Sequence, residues 1–302
     1  MATPRTQSPR SATLIGLSAI VFWSAIVGLI RGVSEHFGAT GGAALIYSAA
    51  SLLLWATIGM SKVRQFPRRY LVWGSVLFVA YELCLALSIG YAQSSRQAIE
   101  VGMVNYLWPA LTLVFAIVFN KQRSTLLVIP GFIIAIVGVG WVLGGDQGLD
   151  IQGMLRNVRD NPLSYGLAFA GALIWATYCT VTARIAQGSN GTTLFFMLTA
   201  AALWLKYLLI GGEPISFTLP GTVYLLLAAA AMGFGYAAWN IGILHGNIAV
   251  LVGASYFIPV LSAVLSAVVL HTILPFSFWQ GAAMVCVGSI LCWVATRTAR
   301  PG

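Results

Sequence analysis

Charged and turn residues cut this sequence into apolar stretches, each long enough to cross a bilayer and almost free of charge. That feature leaves lipid as the only solvent the chain can use. A hydrocarbon layer about 30 Å thick needs roughly 20 helical residues per crossing, and a transmembrane barrel would show shorter alternating strands. Spans are therefore expected near 12–30, 41–60, 70–90, 98–119, 125–144, 163–186, 191–210, 219–243, 247–270 and 275–296. Composition agrees: 8% of the residues are charged and 59% hydrophobic, too few charges for a soluble surface, and 10 Trp, 11 Tyr and 15 Phe exclude a disordered chain. The expected class is an all-α polytopic membrane protein of ten transmembrane helices. With its short connections the chain has little room for a soluble domain, so its chemistry belongs inside the membrane.

The net charge of +9 is a topology signal. With the amino terminus placed inside, Arg5, Arg10, Lys62, Arg64, Arg68, Arg69, Lys121, Arg123, Arg184, Arg297 and Arg300 fall on the cytoplasmic side, eleven of the sixteen basic residues. Arg31, Arg96, Arg156 and Arg159 fall outside, and Lys206 lies near an outer helix end. This positive-inside bias puts both termini in the cytoplasm. No basic domain or motif supports a nucleic-acid partner. The first apolar run has no convincing cleavage site and reads as a retained helix.

The chain also repeats itself at a shift near 150. Tyr106 and Pro109 match Tyr256 and Pro259, and Gly131 and Gly138 match Gly281 and Gly288. At a shift of 149, Leu45, Leu54 and Trp55 match Leu194, Leu203 and Trp204. Each copy holds five spans, and because five is odd the second copy enters the bilayer upside down. The expected organisation is an unstructured cytoplasmic tail at 1–11, a first five-helix repeat at 12–144, an extracytoplasmic connection at 145–162 and a second repeat at 163–302. Inverted repeats are a transporter architecture, with substrate bound near the midplane between the halves. Pro109 and Pro259 fall near the centre of their spans, where each removes a backbone hydrogen bond. They are candidate hinges, or packing kinks.

Several spans put aromatic and polar residues on one face at central depth: Trp23; Tyr81 and Glu82 beside Phe78; Asn105 and Trp108; Trp175, Tyr178 and Thr182; Tyr236, Trp239 and Asn240; Ser255 and Tyr256. Lipid penalises the polar members, so these faces turn onto a cavity or onto each other. Glu82 is the one acid read as deep. A carboxylate there costs at least a few kcal/mol unless paired, protonated or wetted. It can attract an ammonium group, carry a proton, or sit neutral in a structural hydrogen bond. Arg96 and Glu100 read as a surface pair that can also help gate the outer mouth. The four cysteines, Cys84, Cys179, Cys286 and Cys292, read as structural thiols. His36, His245 and His271 fall in separate loops with no clustered acid or thiol partner, so neither a metal nor a cofactor is expected. No nucleophile and base share a depth, which argues against an enzyme.

The segments FWSAIVGLIRGVSE at 22–35, YELCLALSIGYA at 81–92, QAIEVGMVNYLWP at 97–109, YAAWNIGILHGN at 236–247, SYFIPVLS at 255–262 and FWQGAAMVCVGSILCW at 278–293 resemble the bacterial aromatic amino-acid exporters of the drug/metabolite transporter superfamily. The likeness runs from about Ala12 to Arg297. It implies two EamA-type repeats of five helices, an inner-membrane location and an aromatic amino-acid substrate. Such zwitterions need aromatic walls, donors such as Asn105, Asn240 or Ser255 for the carboxylate, and an acceptor or π-face for the ammonium. Alternating access by a monomer in lipid is expected. Export of flat cationic drugs, which one deep carboxylate among aromatics would also serve, and a non-transporting receptor are the alternatives.

Overall fold

A computed structural model describes residues 9–60 and 62–297; the first eight residues, with Arg5, the residue at 61, and 298–302, with Arg300, lie outside the described residues. The described residues are helical almost throughout. In chain order the helices are α1 (Pro9–Phe37), α2 (Ala39–Ile58), α3 (Arg68–Gly90), α4 (Ser95–Asn105), α5 (Trp108–Asn120), α6 (Val128–Leu143), α7 (Ile151–Asp160), α8 (Pro162–Ile185), α9 (Thr192–Ile210), α10 (Leu219–His245), α11 (Ile248–Ser255), α12 (Ile258–Val269) and α13 (Phe276–Arg297). Counting α4 and α5 as one run, eight are long and apolar enough to cross a membrane, and α6 and α12 are shorter apolar helices.

Local chemistry sets several boundaries. Ser94 opens α4, Asp150 opens α7, Asn161 opens α8 and Asn247 opens α11, each side chain accepting a hydrogen bond from a first-turn amide. Pro162 occupies the first turn of α8, where its missing N–H costs nothing. Three expectations change. Helix α1 starts at Pro9 and ends at Phe37, so residues 9–11 of the expected tail are helical, and Glu35 and His36 belong to a helix rather than a loop. His245 likewise closes α10. The connection at 145–162 folds into α7, whose Met154 and Val158 pack on the core.

The third change lies at the two repeated prolines. The runs expected at 98–119 and 247–270 each break in the middle, at Tyr106–Leu107 and at Tyr256–Phe257. Pro109 and Pro259 sit in the first turn of the helix that resumes after each break. Tighter bonds bridge the gaps: the Leu107 amide donates to the Val104 carbonyl at 3.2 Å and the Phe257 amide to the Ala254 carbonyl at 3.1 Å.

Helices pair as α1 with α10, α3 with α8, α2 with α9 and α6 with α13. The last pair meets backbone to backbone. A Cβ placed on Gly288 would lie 2.5 Å from the Gly131 carbonyl oxygen and from the Ala135 nitrogen, and one on Gly281 would lie 2.6 Å from the Gly138 carbonyl oxygen. Only glycine permits such an approach.

The basic residues gather on one end of the bundle. The start of α1, the links α2–α3 and α5–α6 and the ends of α8 and α13 lie there, tied by bonds such as the Thr125 amide to the Ala295 carbonyl (2.9 Å) and the Thr193 hydroxyl to the Gly59 carbonyl (3.0 Å). This basic face carries Arg10, Lys62, Arg64, Arg68, Arg69, Lys121, Arg123, Arg184 and Arg297. The opposite face carries α7 and the ends of α1, α3 and α9.

Candidate functional site

The deep carboxylate organises the centre of the bundle. Glu82, on α3, is 1% exposed. Tyr47 from α2 donates its hydroxyl to Oε2 at 2.6 Å, and Tyr236 from α10 donates to Oε1 at 2.9 Å. Both oxygens thus accept from a hydroxyl, the arrangement that satisfies an ionised carboxylate, which has no proton to give. Among the described residues no Lys, Arg or His lies within ion-pair distance of Glu82.

Glu82 opens onto a cavity of about 240 Å³, just under the roughly 300 Å³ at which small-molecule sites begin. Trp23 from α1, Tyr81 from α3, Asn105 from α4, Trp108 from α5, Trp175 from α8, and Tyr236 and Trp239 from α10 line it. Trp175 is the hub of one wall: its ring lies 4.4 Å from Tyr81, 4.9 Å from Tyr178 in a stacked geometry and 6.3 Å from Trp108. On the other wall Trp23 touches Tyr236 at 5.2 Å and Trp239 at 5.1 Å. These offset and edge contacts fix the rings without filling the space between them. The lining contains no basic side chain. Asn105 Nδ2 reaches the Tyr81 hydroxyl only at the 3.5 Å limit, while its Oδ1, like Nε1 of Trp23, has no hydrogen-bond partner. A buried polar atom in that state costs about 1–3 kcal/mol, which a ligand supplying the partner would recover.

Other expected site residues stand elsewhere. Tyr178 stacks behind Trp175 and borders a separate cavity of about 540 Å³ toward the basic face. Asn240 lines that same cavity and accepts from Asn190 Nδ2 at 2.9 Å. It is one turn past Tyr236, on the right side of α10 but too near the helix end. Ser255 donates its hydroxyl to the Val252 carbonyl within its own helix. Tyr256 packs on Trp293 at 5.9 Å and borders a third cavity, beside Arg297. The repeat therefore pairs Tyr106, on the central cavity, with Tyr256, away from it. Pro109 and Pro259 lie next to the two helix breaks.

Some cavity residues are not among the expected site residues. Tyr106, which matches Tyr256 at the shift of 150, lines the cavity, as do Cys179 and Met232. Tyr47 is fully buried behind Glu82, and a tyrosine flanked by Ser48 and Ser51 in mid-span is the only hint the sequence holds. Glu100 is not on the surface either. It is 5% exposed, takes a hydrogen bond from the Tyr165 hydroxyl at 2.9 Å and pairs with Arg96 at 3.1 Å, while Arg96 also reaches Asp146 at 2.7 Å. This network ties α4 and α8 to the loop after α6 on the opposite face.

Residues 162–294 match the EamA-like transporter family. Over 95% of its length the chain is 60% identical to the aromatic amino acid exporter YddG of Salmonella typhimurium (strain 14028s / SGSC 2262), covering 98% of that protein. It is 58% identical to the aromatic amino acid exporter YddG of Escherichia coli K12, again over 95% of this chain and 98% of the relative. A crystal structure 22% identical to the chain shares the fold, with a TM-score of 0.65 over 95% of this chain and 99% of the other. At such identity and coverage the chain belongs to the YddG family of EamA-like membrane transporters, and it is a transporter rather than an enzyme.

Proposed function

We propose that this protein exports aromatic amino acids and similar small molecules across the bacterial inner membrane by alternating access. The observation that carries the proposal is the central cavity, walled by Trp23, Trp108, Trp175 and Trp239 with one carboxylate, Glu82, at its edge. A flat ring fits between the two aromatic walls, an ammonium group meets Glu82, and the amide of Asn105 is the neutral donor left for a carboxylate. The named relatives are aromatic amino acid exporters, which supports the same substrate class.

The scaffold we propose is ten crossings in two inverted repeats, 12–144 and 163–302, joined outside the cell. Helix pairing supports it. If α1, α2, α3, α4–α5 and α6 correspond to α8, α9, α10, α11–α12 and α13, exchanging the repeats turns the α1–α10 pair into α8–α3 and leaves α2–α9 and α6–α13 as they are. The contact of Gly131 with Gly288 becomes that of Gly281 with Gly138. Pro109 and Pro259 then hinge matched helices as the repeats rock. The basic face is cytoplasmic by the positive-inside rule, and a monomer encloses the path.

A second reading, export of flat cationic drugs, is favoured by the absence of any basic side chain from the cavity lining. Flux of radiolabelled phenylalanine in proteoliposomes separates the two. Competition by phenylalanine and tryptophan with little effect of a flat cation is expected. No amino-acid flux, together with flux of the cation, refutes the leading reading.

A further inference from the structure

The opposite face holds a further polar cavity, of about 620 Å³, built where α1, α3 and α9 end and α2 begins. Four charged side chains line it: Arg31, Glu35, Lys206 and Glu213. Arg31 and Glu35 neutralise each other, with Nε and Oε1 2.9 Å apart. Lys206 and Glu213 do not; neither has an ion-pair partner within 4.0 Å among the described residues. Lys206 Nζ instead donates to two neutral oxygens, Thr40 Oγ1 and the Tyr91 hydroxyl, both at 2.9 Å. Burial raises the Tyr91 hydroxyl, yet its hydrogen bonds to Lys206 and Thr40 and the lysine's charge outweigh that and hold it below the usual tyrosine range. The lysine's field at this spot is thus not cancelled by a carboxylate of the protein.

The cavity lies beyond the central one along α1 and α3, which line both. Arg31 is one turn past Val27, which lines the central cavity; Thr40 and Gly90 are about 10 to 12 Å along α2 and α3 from Tyr47 and Glu82. The two cavities also differ in charge. The central lining has a carboxylate and no cation, so by charge it recognises only the ammonium end of an amino acid. This cavity presents one unmatched cation and one unmatched anion, the complement of a zwitterionic head group.

We propose that the Lys206 cavity is a second binding station for the exported amino acid, in which Lys206 takes the α-carboxylate and Glu213 the ammonium. The inference rests on the proposed export of aromatic amino acids. It assigns recognition of the carboxylate's charge to the opposite face, and leaves the ring and the neutral Asn105 donor to the membrane centre. An amine of the same ring, lacking the carboxylate, has nothing for Lys206 to bind.

Calorimetric titration of the purified full chain in nanodiscs with phenylalanine, phenethylamine and 3-phenylpropionate tests it. Lys206→Met is expected to weaken phenylpropionate binding and one of two phenylalanine sites about tenfold or more, the loss of a charge-assisted bond. Phenethylamine binding should be unchanged, and Lys206→Arg should keep both sites. Glu82→Gln should remove the other phenylalanine site and leave phenylpropionate binding intact. Phenylalanine binding that responds to Glu82→Gln but is unaltered in Lys206→Met and Glu213→Gln overturns the second station alone. Absence of phenylalanine binding to the unaltered chain overturns the export reading itself.

Discussion

The hydrogen bond from Tyr47 to Glu82 offers a direct measure of what the buried carboxylate is doing. Replacing Tyr47 by Phe deletes one hydroxyl from a fully buried ring and leaves the shape almost unchanged. Oε2 of Glu82 then loses its 2.6 Å donor, and Tyr236 at 2.9 Å serves only Oε1. Hydrogen bonds between neutral side chains of membrane helices average about 0.6 kcal/mol and reach about 1.7, whereas a bond to an ionised group contributes about 1.5–3 kcal/mol. The 2.6 Å separation fits both an O–H···O⁻ bond and a short neutral one. With Glu82 ionised, Tyr47→Phe is expected to cost about 2 kcal/mol of stability. In a Glu82→Gln background the same change should cost about 0.6 kcal/mol. The difference, about 1 kcal/mol or more, is the coupling energy of a double-mutant cycle, measured by reversible unfolding in bicelles. A coupling below about 0.5 kcal/mol would show that Tyr47 and Glu82 meet as ordinary neutral neighbours, and the account of Glu82 as an anion waiting for a cation would fail.

Other predictions test the walls, the seam and the path. Trp175→Ala removes a ring from the cavity wall, so phenylalanine affinity should fall about two- to tenfold by calorimetry, the loss of one ring pair at about 0.5–1.5 kcal/mol. Gly288→Ala presses a methyl group onto the backbone of α6 and should lower stability by about 1–3 kcal/mol in thermal unfolding, whereas Gly166→Ala, with open space around it, should not. Cys179 lines the central cavity and Cys84 does not, so phenylalanine should slow labelling of Cys179 by a small thiol reagent and leave labelling of Cys84 unchanged. If Glu82 carries a proton during transport, Glu82→Gln should abolish the pH dependence of flux in proteoliposomes; an unchanged dependence rejects that role.

The sequence made the membrane class, most helix boundaries and the central aromatic faces legible because each rests on a local property: hydropathy, spacing of three or four residues, or a proline. Trp23, Tyr81, Glu82, Asn105, Trp108, Trp175, Tyr236 and Trp239 do meet around one cavity. Depth was harder to read than direction. Asn240 shares a face with Tyr236, but one turn carries it from the central cavity into the one toward the basic face. Ser255 and Tyr256 match Asn105 and Tyr106 at the shift of 150 in the sequence, yet only Asn105 and Tyr106 reach the cavity, because contacts between helices distant in sequence decide which tyrosine does. Glu100 looked exposed because Arg96 is one turn away; Tyr165, on another helix, is what permits its burial. Helix α7 was missed because a ten-residue amphipathic helix beside a membrane has no long apolar run to announce it.

The bare-backbone crossing of α6 and α13 has a mechanical consequence. Where helices interlock through large side chains, any relative turn must unseat knobs from holes and re-sort rotamers, and the barrier grows with each one. At Gly131, Gly138, Gly281 and Gly288 the approach is mostly backbone on backbone, and Val142, Met284 and Cys292 are the side chains seated over it. With so few side chains interlocked there, a small relative turn of α6 against α13 has fewer rotamers to re-sort than a turn across the aromatic walls has. If the halves rock as proposed, bulky residues along this seam should slow flux in proteoliposomes while leaving phenylalanine binding at the central cavity unchanged.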